Sequence, residues 1–256
     1  MKFEHFIPCD ALKPYVSSLV IHEAGEQAIY KVLPGTGVVM GFQFKGRLSL
    51  VQDQTTTPLS SSGVTGLTDR YKVFENSKDI GTVLVFFKEG GAANFFKVPV
   101  HELFKESVSL DNFMIRSELL VVEERIQEAK TDPQRIAVIE QFLLSQLRQV
   151  APDKLVATAL ALIHQSKGTV RIAQLAQHLN ISQSPLEKRF RQVVGTSPKK
   201  FASIVRMKHL LANFDDAKSS TELGFAAGFY DQAHFIKEFR AFTGQSPSSF
   251  SKSINR

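Results

Sequence analysis

The first 90 or so residues alternate short apolar runs with clusters of Gly, Pro, Ser and Thr. Runs rich in Val, Ile and Phe at 15–22, 28–33, 38–44, 47–52 and 82–87 have the length and composition of β-strands. Turns are expected at Pro34-Gly35 and over 60–63, and Glu89-Gly90-Gly91 releases the chain from its last clear strand. Many short strands at this spacing predict a β-sandwich or barrel. From Ala92 onward the apolar spacing changes to three and four, which predicts helices over 94–96, 99–104 and 119–129. Thr131-Asp132-Pro133 then supplies a break, a cap and a Pro for a helix that runs to about Gln149 with Ile136, Ile139, Phe142, Leu143 and Leu147 on one face. The last two helices form a hairpin that packs either on the strands or on a second copy of itself.

The C-terminal part contains an internal repeat. Phe190, Gly195, Pro198 and Phe201 recur as Phe239, Gly244, Pro247 and Phe250, each 49 positions later, and Leu175, Ala176, Asn180 and Ile181 recur 48 positions later as Leu223, Gly224, Gly228 and Phe229. Each copy reads as helix, turn, helix. Ile172, Leu175, Ala176 and Leu179 form one buried stripe, and Asn180, with Gly228 in the second copy, stands where the chain must turn through positive φ. The following helix begins at Ser182 or Ser184 and buries Leu186, Phe190 and Val193 or Val194; its counterpart buries Phe235, Phe239 and Phe242.

Those stripes leave a polar face outward on each second helix. Gln183, Ser184, Glu187, Lys188 and Arg191 share it in the first copy, and Asp231, Gln232, Ala233, Ile236, Lys237 and Arg240 in the second. A helix fits the major groove of DNA, where Gln can pair with adenine, Lys or Arg with guanine, and Glu can accept from cytosine. Gln183, Ser184, Glu187, Lys188, Arg191, Gln232, Ala233, Ile236 and Lys237 are therefore candidates for reading bases. Lys199 and Lys200, at the start of the helix that joins the copies, and Arg240 are candidates for phosphate. The alternative for any one position is a solvated charged face.

Charge supports the first reading. Residues 1–150 hold 16 Lys+Arg against 18 Asp+Glu, whereas residues 151–256 hold 15 against 7, so a nearly neutral part precedes one of net +8. The joint is the Pro-containing segment 149–154. Three regions are expected: a β-rich domain over 1–113, a helical hairpin and linker over 114–150, and a DNA-binding domain over 151–256. The start, MKFEHFIPCD, lacks the apolar core of a signal peptide, and no apolar run is long enough to span a bilayer, so a cytoplasmic protein is expected. Cys9, the one cysteine, excludes an internal disulfide and is read as a small half-buried hydrophobe.

The segment from Leu223 to Phe250, LGFAAGFYDQAHFIKEFRAFTGQSPSSF, resembles the signature of the AraC/XylS family of bacterial transcription regulators, and the likeness extends over about 157–250. Gly224 departs from it, since the family usually has Ala there. The resemblance implies that each recognition helix enters one of two successive major grooves, with Ser184, Glu187, Lys188, Gln232, Ala233 and Lys237 facing bases. The small side chains of Ser184 and Ala233 put a strong direct contact from those two in doubt. Less specifically, Leu33-Pro-Gly-Thr-Gly and the stretch from Phe87 to Leu103 are similar to a cupin-like sensor domain that precedes this reader in some members. The fold class expected is thus a two-domain α+β protein: a cupin-like β-barrel or sandwich with a helical hairpin, then an all-α double helix-turn-helix domain.

A cupin-like barrel raises metal-dependent catalysis as a rival. His5, His22 and His101 are isolated, with no His-x-His, and neither a Gly-rich phosphate loop nor a Gly-x-Ser-x-Gly elbow is present. No catalytic residue, metal or cofactor is expected. Three alternatives stand: a regulator controlled by a small molecule or other signal, a constitutive DNA-binding protein whose barrel only dimerises it, and a barrel enzyme with a DNA-binding tail. The expected partner is double-stranded DNA, with RNA polymerase, a small-molecule effector and a second copy as further candidates, and no membrane.

Overall fold

The computed structural model describes residues 1–148, 150–215 and 218–254. Its N-terminal unit is a sandwich of two antiparallel sheets. Strands β1 (Lys2–Phe6), β2 (Val16–Ala24), β4 (Val39–Lys45), β7 (Ser62–Thr65), β9 (Ile80–Phe87) and β10 (Ser107–Ser109) form one sheet in the order β1-β2-β9-β4-β7-β10. Strands β3 (Ala28–Val32), β5 (Leu48–Gln52), β6 (Thr55–Pro58) and β8 (Lys72–Asn76) form the other, in the order β3-β8-β5-β6. The two sheets do not close into a barrel. The turn expected over 60–63 is displaced, because Ser62 and Gly63 already pair with Phe42 and Gly41.

The expected hairpin is α1 (Arg116–Glu128) and α2 (Asp132–Gln146), and it lies on the six-stranded sheet. The Phe42 and Phe142 rings meet edge to face at 5.7 Å. Thr131 and Gln134 make a reciprocal capping box with Pro133 just inside the helix, as the Thr-Asp-Pro signal demands. Helix α2 ends at Gln146, earlier than expected, and Gln149 lies outside the described residues. In place of the helices expected over 94–96 and 99–104 stand two four-residue 3-10 turns, Gly91–Asn94, which meets the first range only at Asn94, and Val100–Leu103. Buried Glu123 of α1 accepts from Ser62 Oγ at 2.6 Å and lies 3.5 Å from Arg116, so its charge is partnered. Cys9 is half-buried, and its backbone N–H donates to Glu140 at 2.6 Å.

The close-packed layer of this unit lies between the six-stranded sheet and the hairpin. Met40, Phe42, Val83 and Val85 on that face are fully buried. The opposite face carries half-buried Val39, Leu84 and Phe86 together with buried Val20, His22, Gln43 and Thr82, and on the second sheet Phe74 is buried between half-buried Tyr30 and Leu50. Lys72 Nζ donates to Ser107 Oγ at 2.8 Å and so bridges the two sheets.

The remaining helices are α3 (Lys154–Gln165), α4 (Ile172–His178), α5 (Gln183–Val194), α6 (Pro198–Ala212), α7 (Ser220–Ala226), α8 (Gln232–Thr243) and α9 (Pro247–Ile254). Two cores organise them. One runs without a break from the β-sandwich through α3, α4 and α5 to Phe201, Ala202 and Val205 of α6. The second gathers Ile204, Met207 and Leu210 of the same α6 with Leu223, Phe229, Phe235, Phe239 and Phe242. Helix α6 is thus a spine with one face in each core. Among the described residues no helix is long and apolar enough to cross a membrane.

Candidate nucleic-acid interface

The repeat folds as two helix-turn-helix units, α4–α5 and α7–α8. At the turns, Asn180 has φ 50° and Gly228 φ 76°, the left-handed conformation that these residue types tolerate. The second helices end on Gly195 at φ 100° and Gly244 at φ 77°. Leu186, Phe190 and Val194 anchor α5; Phe235, Phe239 and Phe242 anchor α8. The departure at Gly224 has a packing cause. A Cβ there would sit 3.1 Å from the Phe235 ring, so glycine lets that aromatic approach α7 closely. The crowding opposes the ~1 kcal/mol that Ala would contribute through helix propensity.

On α5, Gln183, Ser184, Lys188 and Arg191 are exposed and Glu187 is half-buried. Glu187 and Arg191 pair one turn apart at 3.3 Å, so each must exchange a partner before meeting a base. On α8, Gln232, Ala233, Lys237 and Arg240 are exposed. Ile236, the apolar member of the outward set, is half-buried and packs against the second core. The two helix starts differ: Asp231 accepts from the His234 N–H at 2.7 Å, whereas Ser182 makes no side-chain cap bond to α5. Tyr230, immediately before α8, is 94% exposed, and Phe225 is also exposed. Neither was picked out by periodicity, although an aromatic at a turn with no apolar partner in the repeat pattern was a usable signal.

Of the phosphate candidates, Lys199 and Arg240 are exposed. Lys200 instead reaches the N-terminal unit, where its Nζ donates to Asp69 Oδ2 at 2.8 Å and stands 5.1 Å from the Phe104 ring centre. Lys105 Nζ approaches the other Asp69 oxygen at 2.9 Å. Burial pushes the Asp69 carboxyl up, but the two lysines outweigh it and hold the group below its ordinary range. Asp153 is held low in the same way, burial being outweighed by bonds from Arg189 and the Val156 N–H. Arg189 grips it in a two-pronged bond of 2.8 and 2.9 Å that fixes α5 to the start of α3.

The first unit is also docked on the N-terminal unit through α5. A Cβ on Gly195 would lie 3.0 Å from Val100, and one on Gly90 would lie 3.0 Å from Val193. His101, which follows Val100, borders an open groove of about 590 Å³ along the outward face of α5, together with Gln183, Ser184, Glu187, Lys188 and Arg191. The second unit touches the sandwich too: the Tyr71 N–H donates to the Ala241 carbonyl at 3.2 Å. His5 and His22 lie on β1 and β2, far along the chain from His101, and among the described residues no group of three or more His, Cys, Asp or Glu comes together.

Residues 175–253 match a family model described as a helix-turn-helix domain, and residues 4–109 match one described as a domain of unknown function (DUF6597). The chain is similar to the Msm operon regulatory protein of Streptococcus mutans, with 31% identity over 157 residues, 60% of this chain and 56% of that protein. It is also similar to an uncharacterized HTH-type transcriptional regulator of Haemophilus influenzae, with 31% identity over 46% of this chain and 39% of that one. The chain thus spans about half the length of these relatives. Among solved structures it is similar to ToxT of Vibrio cholerae, with 11% identity, a TM-score of 0.47, and 91% of this chain and 97% of that one covered.

Proposed function

We propose that this chain, a member of the AraC/XylS family of transcription regulators by its C-terminal domain, reads double-stranded DNA in a sequence-specific way through α5 and α8 under the control of its N-terminal unit. The observation that carries the reading is the pair of helix-turn-helix units on one spine, α6, each presenting an exposed polar helix face. Gln183, Ser184, Glu187, Lys188 and Arg191 would read one major groove and Gln232, Ala233 and Lys237 the next, with Lys199 and Arg240 on phosphates. Selection of binding sites from random duplex DNA tests it. Two short conserved blocks about one helical turn apart are expected, and recovery of no preferred sequence would refute it.

Control by the N-terminal unit rests on its contacts with both reading units. Lys72, which bridges the two sheets at the start of β8, and Tyr71 beside it, which meets Ala241 of α8, favour a signal received at the sandwich, such as a small-molecule effector, over a domain used only for dimerisation. A molecule held between the sheets would bear on β8 and, through Tyr71, on α8. Leu120, Val121 and Leu144 of the hairpin are exposed, and a second copy is the occupant that would cover them in a homodimer. RNA polymerase is the further partner that a transcription regulator bound beside a promoter would meet.

A further inference from the structure

A pocket of about 320 Å³ lies between the α3–α4 turn, the spine α6 and the first helix of the second helix-turn-helix unit. Its walls include Lys167 and Thr169 in the turn between α3 and α4, Arg206 and His209 on α6, and Lys218 and Leu223 before and on α7. Lys167, Arg206, Lys218 and a histidine line it, and among the described residues none of the lining ones is acidic. Among the described residues, carboxylates stand beside it: Asp215 pairs with Lys218 at 3.3 Å, Glu222 also feels the charge of Lys218, and Glu238 approaches Arg206 at 3.5 Å. Arg206 is held firmly, its guanidinium 4.0 Å from the Phe229 ring centre, yet its buried Nε has no hydrogen-bond partner. A buried donor left unpaired is costly, and an arginine fixed in this way is pre-organised for an oxyanion.

The pocket also sits where the turn leading into the first unit meets the second. Gly168, at φ 77°, lays the α3–α4 turn directly against Ala202 and Arg206 of α6. A Cβ on Gly228, in the turn that precedes the second recognition helix, would lie 3.3 Å from Thr169. An occupant therefore touches the start of the first unit, the spine and the second unit together.

We propose that this pocket is an oxyanion site for a phosphate-type group, and that filling it ties the two reading units to each other. The same chemistry is offered by a phosphate of the DNA backbone and by a free phosphorylated molecule. The first source rests on the DNA-binding function proposed above, and the second does not.

The test uses the full chain and the variants Lys167→Ser, Lys218→Ser and both together, all at exposed positions. In one arm, inorganic phosphate or pyrophosphate is added at constant ionic strength, with chloride as control, and thermal unfolding is followed. A saturable rise in midpoint that the double variant loses supports the site and identifies a free anion. In the other arm, the salt dependence of affinity for the selected DNA site is measured. A fall of about one in the slope of log K against log salt, no larger in the double variant than in either single one, supports a shared backbone phosphate. If phosphate and pyrophosphate do not saturate and the slopes are unchanged or fall additively, the proposal is overturned. If the wild-type chain binds no DNA, the function proposed above fails, and the phosphate arm alone decides this site.

Discussion

Asp69 and Lys200, 131 positions apart, are joined by a 2.8 Å hydrogen bond that ties the N-terminal sandwich to the first turn of the spine helix of the reading head. A lysine well placed to hold a phosphate is thereby held by a carboxylate of its own chain. On the proposed DNA-binding reading, with Lys200 as a further phosphate ligand, DNA and Asp69 would compete for the same ammonium and the N-terminal unit would draw on DNA affinity without touching a base. Asp69→Asn should raise affinity for any duplex and steepen the slope of log K against log salt by about 0.9, the value for one further phosphate. Fluorescence anisotropy on random-sequence DNA at several salt concentrations checks this, and an unchanged slope would remove the competition.

The two cores predict different consequences for equivalent phenylalanines. Phe190 and Phe239 occupy matching positions of the repeat, and each is fully buried. Truncation to Ala should cost about 3–5 kcal/mol at either place. Phe190 lies in the core shared with the sandwich, so Phe190→Ala should raise hydrogen exchange in β-strands and α5 together. Phe239→Ala should raise it over α7–α9 and leave the strands protected. Identical exchange patterns for the two variants would show that the cores are not separate.

Burial pushes the Lys72 ammonium down to about 8 in the fold, against an ordinary value of 10.5, while Glu106 opposes the shift more weakly. Below about pH 8 both the folded and the unfolded chain carry this proton, and the cost of burying the charge is present in full. Between about 8 and 10.5 the unfolded chain binds more protons than the folded one, so this group makes stability rise with pH across that window. Lys72→Met should abolish that contribution and raise the unfolding midpoint at pH 7 by a few degrees, roughly 2–4 °C per kcal/mol for a chain of this size. Thermal unfolding of both proteins from pH 7 to 10.5 measures it. A midpoint at pH 7 lowered by the substitution would mean that the charge stabilises the fold.

Much of the reading head was legible because the repeat states each structural demand twice. Asn180 and Gly228 share no chemistry except tolerance of positive φ, and both adopt it. Gly195 and Gly244 close their helices in the same way. Strands β1, β6, β7, β8 and β10 were missed: β1, β6 and β10 are edge strands, where one partner suffices and apolar alternation is weak, whereas β7 and β8 are interior but short, with a single Val in Ser62–Thr65 and only Val73 and Phe74 in Lys72–Asn76. What no local pattern could supply was the docking of one part on another. Val100 against Gly195, Asp69 on Lys200 and Tyr71 on Ala241 join segments far apart in the chain. Nor did helical spacing show that Ile236, placed on the outward face, also packs against the second core.

The central claim is that α5 and α8 read bases, and it is tested most directly by comparing Lys188→Ala, Lys237→Ala and Lys199→Ala on the selected site and on random DNA at one salt concentration. Lys188 and Lys237 stand exposed on the two recognition helices, and Lys199 stands at the start of α6. The first two substitutions should each cost about 1–3 kcal/mol on the selected site and far less on random DNA, while Lys199→Ala should weaken both alike. Equal losses on selected and random DNA for all three lysines would contradict the account.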